Sequence, residues 1–433
     1  MQDILAALRQ RTEQAEVYSV EEEFTVVSFE ANVMKSARVE QSQGIALRGS
    51  VKGRLGFTAA GGTVAGDRLI DNLLASAEYG DVVPIVFPPA APGPEVMTYD
   101  PALAGVPISR MVEIGQEIVA TLVQADADAK VSVDIERGLT QWSLRNSAGA
   151  EASRRMSSLS VSISVERVRG DDVLLVYDAI SDISLTDAYR EAVRGMASKV
   201  EAAKRSASLS SGRMPVLFSP MGGAVLVLPI MQAINGKSVQ RGISPMSDKA
   251  GKEIFDPQIT LWDDPTLPGR PTSRSHDGEG VPCRRKALIQ QGICSGFLFD
   301  LKTAALMHTT STGNGSRGLF SPPSPAPSTL VIEPGETPLA SILAGIKHGL
   351  LVEFALGLGQ GNVISGAFSN TLGLAYVIEQ GEIVGRVKDV SIAGNIYEEL
   401  REVAAISRES DWVFGQHRMP YILLPELNVT CKG

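Results

Sequence analysis

Between Ser158 and Val165 the chain alternates without a break: Leu159, Val161, Ile163 and Val165 are interleaved with Ser158, Ser160, Ser162 and Ser164. A helix would scatter the four apolar residues around its circumference, whereas a strand sends all of them to one face and all the serines to the other. Such a strand belongs to a sheet with one buried and one wet face, the habit of antiparallel sheets. Val131, Val133 and Ile135 show the same alternation. Gly138 is expected to turn the chain into Leu139–Leu144, Asn146–Gly149 to turn it again, and Arg169-Gly170-Asp171-Asp172 to lead into Val173–Tyr177. The expectation is an antiparallel meander.

Around it lie segments of helical period. Residues 3–16 place Ile4, Leu5 and Leu8 on one face, with Asp3 as N-cap. Asp67 is positioned to cap a helix through Leu69, Ile70, Leu73, Leu74 and Ala77. Ser109 opens another through Met111, Ile114, Ile118 and Leu122, and Asp187 to about Lys204 reads as a third. Phe24–Phe29 reads as a strand, and Gly44–Ser50 with Arg54–Thr58 as a hairpin turning at Val51-Lys52-Gly53. Five prolines between Pro84 and Pro94 exclude helix and central strand, so that stretch is expected to be a surface excursion.

At 433 residues the chain exceeds one ordinary core. The serine-rich, aperiodic Ser206–Gly212 marks the expected boundary between an N-terminal α+β domain (1–205) and a β-rich C-terminal domain (213–433) with a barrel-like or mixed sheet. In the second half, helical pattern is confined to Ala224–Asn235, Thr303–Met307, Pro338–Lys347 and Ile396–Ile406. Short strands are expected at Ile259–Trp262, Phe297–Leu301, Leu330–Glu333, Gly349–Leu356, Ala375–Glu379, Ile383–Val390 and Tyr421–Leu424, with Gly381 as a tight turn. The fold class is therefore α+β.

Net charge is −9 and no basic run exceeds Arg284–Lys286, which argues against nucleic acid or an anionic membrane as partner. Cys283, Cys294 and Cys431 make no disulfide framework. With no signal-peptide pattern and no apolar run near ~20 residues, a cytoplasmic location is expected.

The densest candidate chemistry is Thr260–Asp300. It holds Asp263, Asp264, His276, Asp277, Glu279 and Cys283, and nowhere else do a histidine, several carboxylates and a cysteine lie so close in sequence. His276, Asp277 and Glu279 could act on a metal or as an acid–base pair. Their spacing in a glycine-containing loop does not gather side chains as a helical pair does, and the plainer reading is a loop whose carboxylates accept hydrogen bonds. Ser311–Gly318, including Asn314 and Arg317, is glycine-rich but lacks the order of a nucleotide loop, and reads as a cleft wall. His308, His348 and His417 are isolated. The residues alone give no complete catalytic constellation.

Taken in order, Asp263-Asp264-Pro265, Asp277-Gly278-Glu279-Gly280-Val281-Pro282, Ser311-Thr312-Gly313-Asn314-Gly315 with Arg317, Pro334-Gly335, Ser365-Gly366 with Phe368-Ser369, and Ile378-Glu379-Gln380-Gly381-Glu382 resemble the TldD/PmbA family, also called the modulator-of-DNA-gyrase or TldD/TldE peptidase family. Gly44–Phe57 looks like that family's N-terminal hairpin. The resemblance implies a metallopeptidase system in which TldD-type subunits carry a helical HExxxH motif and a later cysteine around zinc, while PmbA (TldE) subunits lack them. Here Leu228 and Ala233 fall where the histidines would be and Pro229 where the glutamate would be; Arg408–Met419 has no cysteine, and Cys431 lies beyond it.

The resemblance thus implies a PmbA/TldE-type subunit without cofactor, with zinc bound by a TldD-type partner in a heterodimer acting on unfolded peptides. His276, Asp277, Glu279, Asn314 and Arg317 are expected to line a cleft, and second-half strands to hold peptide by β-augmentation. The rivals are a stand-alone peptide-binding homodimer without hydrolysis, and a hydrolase that uses His276, Asp277 and Glu279 around a metal.

Overall fold

A computed structural model describes residues 2–432. Its first sheet has six antiparallel strands: β1 (Gln14–Glu30), β2 (Val33–Val51), β3 (Arg54–Gly61), β4 (Lys130–Asn146), β5 (Glu151–Arg169) and β6 (Asp172–Asp182), in the order β3-β2-β1-β4-β5-β6. The alternation of β5 does what its period requires: Leu159, Val161, Ile163 and Val165 are buried. Of the five helices of this half, α1 (Gln2–Arg9), α2 (Gly66–Glu78), α3 (Pro101–Ala104), α4 (Ile108–Ala125) and α5 (Ala188–Ala202), they pack beneath α4 and α5. α4 contributes Met111, Ile114, Ile118 and Leu122, and α5 contributes Tyr189, Val193, Met196 and Val200.

Several expectations about element limits are corrected. The first helix stops at Arg9 and residues 14–16 already belong to β1, because Ala15 and Val17 are drawn into the core with Leu8 and Leu47. Asp3 and Asp67 sit inside first turns rather than at caps; Ala65 is the N-cap of α2, with no side-chain hydrogen bond. Gly138 does not turn the chain. β4 runs straight through it, in register with Phe24, and a Cβ there would stand 2.5 Å from Ser158 Oγ and 3.0 Å from the Phe24 ring. Glycine here is a seat for a cross-strand aromatic ring. The proline-rich stretch is irregular, but it also buries Val83, Ile85 and Phe87 against Leu55, Leu301, Ala305 and Leu306.

The second sheet has eleven strands: β7 (Gly212–Phe218), β8 (Leu261–Asp263), β9 (Lys286–Gln290), β10 (Ile293–Cys294), then, beyond a two-stranded ribbon of β11 (Gly315–Ser316) and β12 (Ser324–Pro325), β13 (Leu330–Ile332), β14 (His348–Ala355), β15 (Ala367–Glu379), β16 (Glu382–Arg386), β17 (Val390–Asn395), β18 (Ala405–Val413) and β19 (His417–Cys431). β19, β17, β15, β14 and β7 pair in turn, and β7 pairs back onto β19, so these strands close a mixed barrel in which only β14–β7 is parallel. Phe297–Leu301 is not a strand, and the expected Ile396–Ile406 helix ends after one turn so that Ala405 can enter β18. The expected strand Ile383–Val390 is broken at Asp389, whose φ is 53°, into β16 and β17. The fold is α+β, as the sequence pattern implied.

The remaining helices are short: α6 (Ala224–Ala233), α7 (Gly236–Gln240), α8 (Leu301–Leu306), α9 (Leu339–Gly345) and α10 (Ile396–Glu399). Leu217, Leu351, Tyr376 and Ile378 from the barrel pack into the same apolar cluster as α4 and α5, so the two halves share a core. Among the described residues no helix is long and apolar enough to cross a membrane.

Candidate functional site

The segment α6 follows β7 directly and is apolar throughout, AVLVLPIMQA apart from one glutamine. Val225, Leu226, Val227, Pro229, Ile230 and Ala233 are buried, because a helix without a polar stripe must be covered on most sides. Pro229 removes one backbone N–H and leaves the Val225 carbonyl without its helical partner. Leu228 is half-buried and, with Val225 and Pro229, forms one wall of a cleft of about 500 Å³; the opposite walls are the 356–363 loop and Ala367–Thr371 of β15.

That stretch of β15 has an unpaired edge. Gly366 C=O accepts from Ile396 N–H at 2.9 Å on the β17 side, whereas Thr371 C=O accepts from Leu356 N–H at 2.8 Å on the β14 side. Main-chain groups alternate along a strand, so Ser369 N–H and C=O and Ala367 C=O point to the β14 side. β14 ends at Ala355, opposite Leu372, and the chain then leaves the sheet. Ser369 therefore presents a donor and an acceptor along the cleft, with Gln360, Asn370 and Thr371 nearby.

No histidine, cysteine or carboxylate lines this cleft. Leu228, Pro229 and Ala233, the positions where the resemblance expects HExxxH, offer only carbon side chains, and Ala233 is fully buried. Among the described residues no group of three or more His, Cys, Asp and Glu is placed to hold a metal ion. The donor set does not fit zinc, and no hydrolytic step can be derived through one.

The titratable loop from the sequence reading lies elsewhere, inside the protein where the two sheets meet. Arg48 of β2 donates through Nη2 to Glu16 Oε2 at 2.9 Å and through Nη1 to Glu279 Oε1 at 2.5 Å. Arg317 Nη1 donates to the other Glu16 oxygen, also at 2.5 Å, and Leu301 N–H donates to Glu279 Oε2 at 2.7 Å. The side chains of Glu16 and Glu279 are 0% exposed, that of Arg48 4% and that of Arg317 1%. The Arg48 guanidinium also stacks 4.8 Å above the Phe87 ring, which the proline-rich strap delivers.

Asp277 Oδ1 accepts from the backbone N–H groups of Glu279 and Val281, and its Oδ2 from Gly315 N–H at 2.8 Å. Asn314 donates to Asp263 Oδ2 and accepts from Lys286 Nζ and the Thr312 hydroxyl. His276 is half-buried, with Nε2 2.9 Å from Ala91 O and Nδ1 3.1 Å from Ser275 Oγ. The structure thus gathers Asp277, Glu279, Asn314 and Arg317 around one junction, but Asp277, Glu279 and Asn314 are fully buried there, while His276 and Arg317 border a separate small cavity.

Burial pushes the Asp277 carboxyl up, opposed by its three N–H donors, and pushes Glu279 up against the pull of Arg48. The Arg48 guanidinium, flanked by two carboxylates, is correspondingly held more firmly protonated than usual despite its burial. The Cys283 thiol is pushed up to about 11, mainly by burial, and donates to Gly313 O at 3.2 Å. His417 is lowered by burial, and its Nδ1 accepts from Leu330 N–H. Asp277 and Glu279, which are fully buried, hold backbone in place through these hydrogen bonds.

Local sequence could not have found Glu16 and Arg48, which lie 32 residues apart and pair across β1 and β2 to a loop 231 residues beyond Arg48. Ser369 was visible only as part of the family resemblance; its free edge depends on where β14 stops.

A family model described as the PmbA/TldA metallopeptidase C-terminal domain matches residues 211–431, and one described as PmbA/TldA metallopeptidase domain 1 matches residues 15–77. The Metalloprotease TldD homolog of Haemophilus influenzae is 29% identical over 207 residues, 47% of this chain and 43% of that protein. A metalloprotease of Methanothermobacter thermautotrophicus is 28% identical over 200 residues, 46% of this chain and 44% of its own length. The alignments span less than half the length of these curated relatives. The crystal structure of TldE from Thermococcus kodakarensis superposes with a TM-score of 0.91 at 24% identity over 99% of each chain, which shows a common fold.

Proposed function

The chain belongs to the PmbA/TldD metallopeptidase family, and from that premise we propose that it is the TldE-type partner subunit of a peptidase that acts on unfolded peptides. In this reading it holds an extended segment of substrate, and a TldD-type subunit supplies zinc and hydrolysis. The observation that carries the proposal is the cleft beside α6. It combines an unpaired strand edge at Ala367–Ser369 with an apolar wall, and no acid, base or metal ligand lines it. Backbone pairing along such an edge tolerates many side chains, which suits substrates recognised by lack of structure. A net charge of −9 gives it no electrostatic attraction for nucleic acid.

The test is co-expression with a TldD-type relative, followed by cleavage of an unfolded peptide and a mass measurement of the purified species. A heterodimer whose cleavage exceeds that of the TldD-type subunit alone is expected. Equal cleavage with and without this chain would remove the partner role, and a homodimer that binds peptide without a partner would favour the stand-alone binding protein. Ser369→Pro, which deletes the outward N–H at an edge position that tolerates proline, should lower cleavage while leaving the complex assembled.

A further inference from the structure

A second cavity, of about 220 Å³, lies where the outer face of β1, β4 and β5 meets the 274–278 and 315–319 segments. Tyr18 and Trp142, with ring centroids 5.9 Å apart, form an aromatic wall. Three arginines border it: Arg154, Arg274 and Arg317. Arg317 is accounted for on one side by Glu16 and lies 4.4 Å over the Tyr18 ring, but its Nε and Nη2 have no hydrogen-bond partner. Its side chain is 1% exposed.

Arg154 and Arg274 are stranger. Arg154 Nη2 donates to Pro271 O at 2.9 Å, and its Nε is buried without a partner. Arg274 has both Nε and Nη2 buried and unpartnered, and lies against the Cys283 thiol. Among the described residues neither forms a carboxylate ion pair. Burial, and then the charge of Arg274, hold Arg154 down to about 9. The carboxylates nearby are committed elsewhere: Glu16 bridges Arg48 and Arg317, Asp277 is capped by backbone N–H groups, and Glu22 at the cavity wall accepts from Ser42. The His276 nitrogens face Ala91 O and Ser275 Oγ. Two half-buried cations that repel each other along one cavity wall, with the Asp277 charge acting on Arg274, favour an anion that joins them.

We infer that this cavity binds an oxyanion, a carboxylate or phosphate group on a small body, held between the guanidinium groups of Arg154 and Arg274 with Arg317 behind and the Tyr18–Trp142 wall against its apolar part. Guanidinium forks match the two oxygens of such groups, and low local polarity strengthens each contact. The site is independent of the cleft beside α6, so it stands or falls separately from the peptidase reading.

The experiment uses the full chain in chloride buffer of constant ionic strength, titrated calorimetrically with inorganic phosphate, with N-acetyl-alanine and with the neutral N-acetyl-alaninamide. One of the two anions should bind one-to-one and raise the melting temperature, and the amide should not; which anion binds identifies the source of the oxyanion. Arg154→Gln and Arg274→Gln should each weaken binding at least tenfold, with Arg154→Lys intermediate and the exposed Arg284→Gln unchanged. Without anion, both glutamine variants should melt at or above the parent temperature, because a half-buried cation without a carboxylate partner has gone. Absence of binding beyond the chloride control, parental affinity in both glutamine variants, or a lowered anion-free melting temperature in both would overturn the inference.

Discussion

Replacing Arg48 by Met tests whether the buried ionic chain at the junction of the two sheets carries the stability that its geometry implies. Met has similar length and no charge, so the substitution strands Glu279 with only Leu301 N–H and leaves Glu16 with only Arg317. Both carboxylates are 0% exposed, and removing one partner of a buried pair costs about 3–5 kcal/mol, a large part of the ~5–15 kcal/mol that stabilises a typical domain. The sign of the pH dependence follows. Without Arg48, burial raises the folded-state pKa of Glu279 further above its unfolded value near ~4.3. The penalty is then absent below that value, grows as pH rises towards the folded pKa, and is full above it. Because burial already holds Glu279 at about 8 in the parent, the gap between variant and parent should be small below pH ~7 and widen from pH ~8 to ~10. Urea unfolding followed by tryptophan fluorescence and circular dichroism across that range gives the measurement. Adding Glu279→Gln to Arg48→Met removes the stranded charge while Glu16 keeps Arg317, and should recover roughly 1–3 kcal/mol. A loss below about 1 kcal/mol, no recovery in the double variant, or a gap independent of pH would refute the reasoning.

Two further substitutions probe other junctions. Burial lifts the Asp178 carboxyl to about 6 from its usual 3.8, against the pull of Lys199. The folded state then holds a proton that the unfolded chain releases, so this residue subtracts stability as pH rises from about 4 to 6; Asp178→Asn should gain up to about 3 kcal/mol above pH 6 and flatten that part of the profile. A variant whose stability tracks the parent at every pH would show that Asp178 is not so buried in solution. Gly138→Val places a branched side chain where Ser158 Oγ and the Phe24 ring already lie 2.5 and 3.0 Å from a bare Cβ, and should cost about 1–3 kcal/mol in thermal unfolding, with Gly138→Ala milder. An unchanged melting temperature in the valine variant would mean that the ring can leave its seat.

The chain's periodicities by themselves settle much of its local structure. The Ser158–Val165 alternation makes a one-faced strand because side chains on a pleated backbone point to opposite sides in turn, whatever surrounds them. The faces of α2, α4 and α5, the hairpin at Lys52-Gly53 and the turn at Gly381 are local in the same sense. That Leu228, Pro229 and Ala233 stand at the HExxxH positions is what the family resemblance implies from sequence. Only the tertiary structure decides which side of the surface a polar loop falls on. His276-Asp277-Gly278-Glu279 looks like an exposed reactive loop because titratable residues usually seek water. Arg48, brought from 231 residues away, makes burial of Glu279 tolerable. Gly138 reads as a turn until Phe24 is laid across it by strand register. The open edge at Ser369 exists because β14 stops one residue before Leu356, and the anion cavity exists because Arg154 and Arg274 meet from different parts of the chain. Periodicity is a property of neighbours along the backbone, whereas charge pairing, cavities and free edges depend on contacts closed over hundreds of residues, which no local pattern encodes.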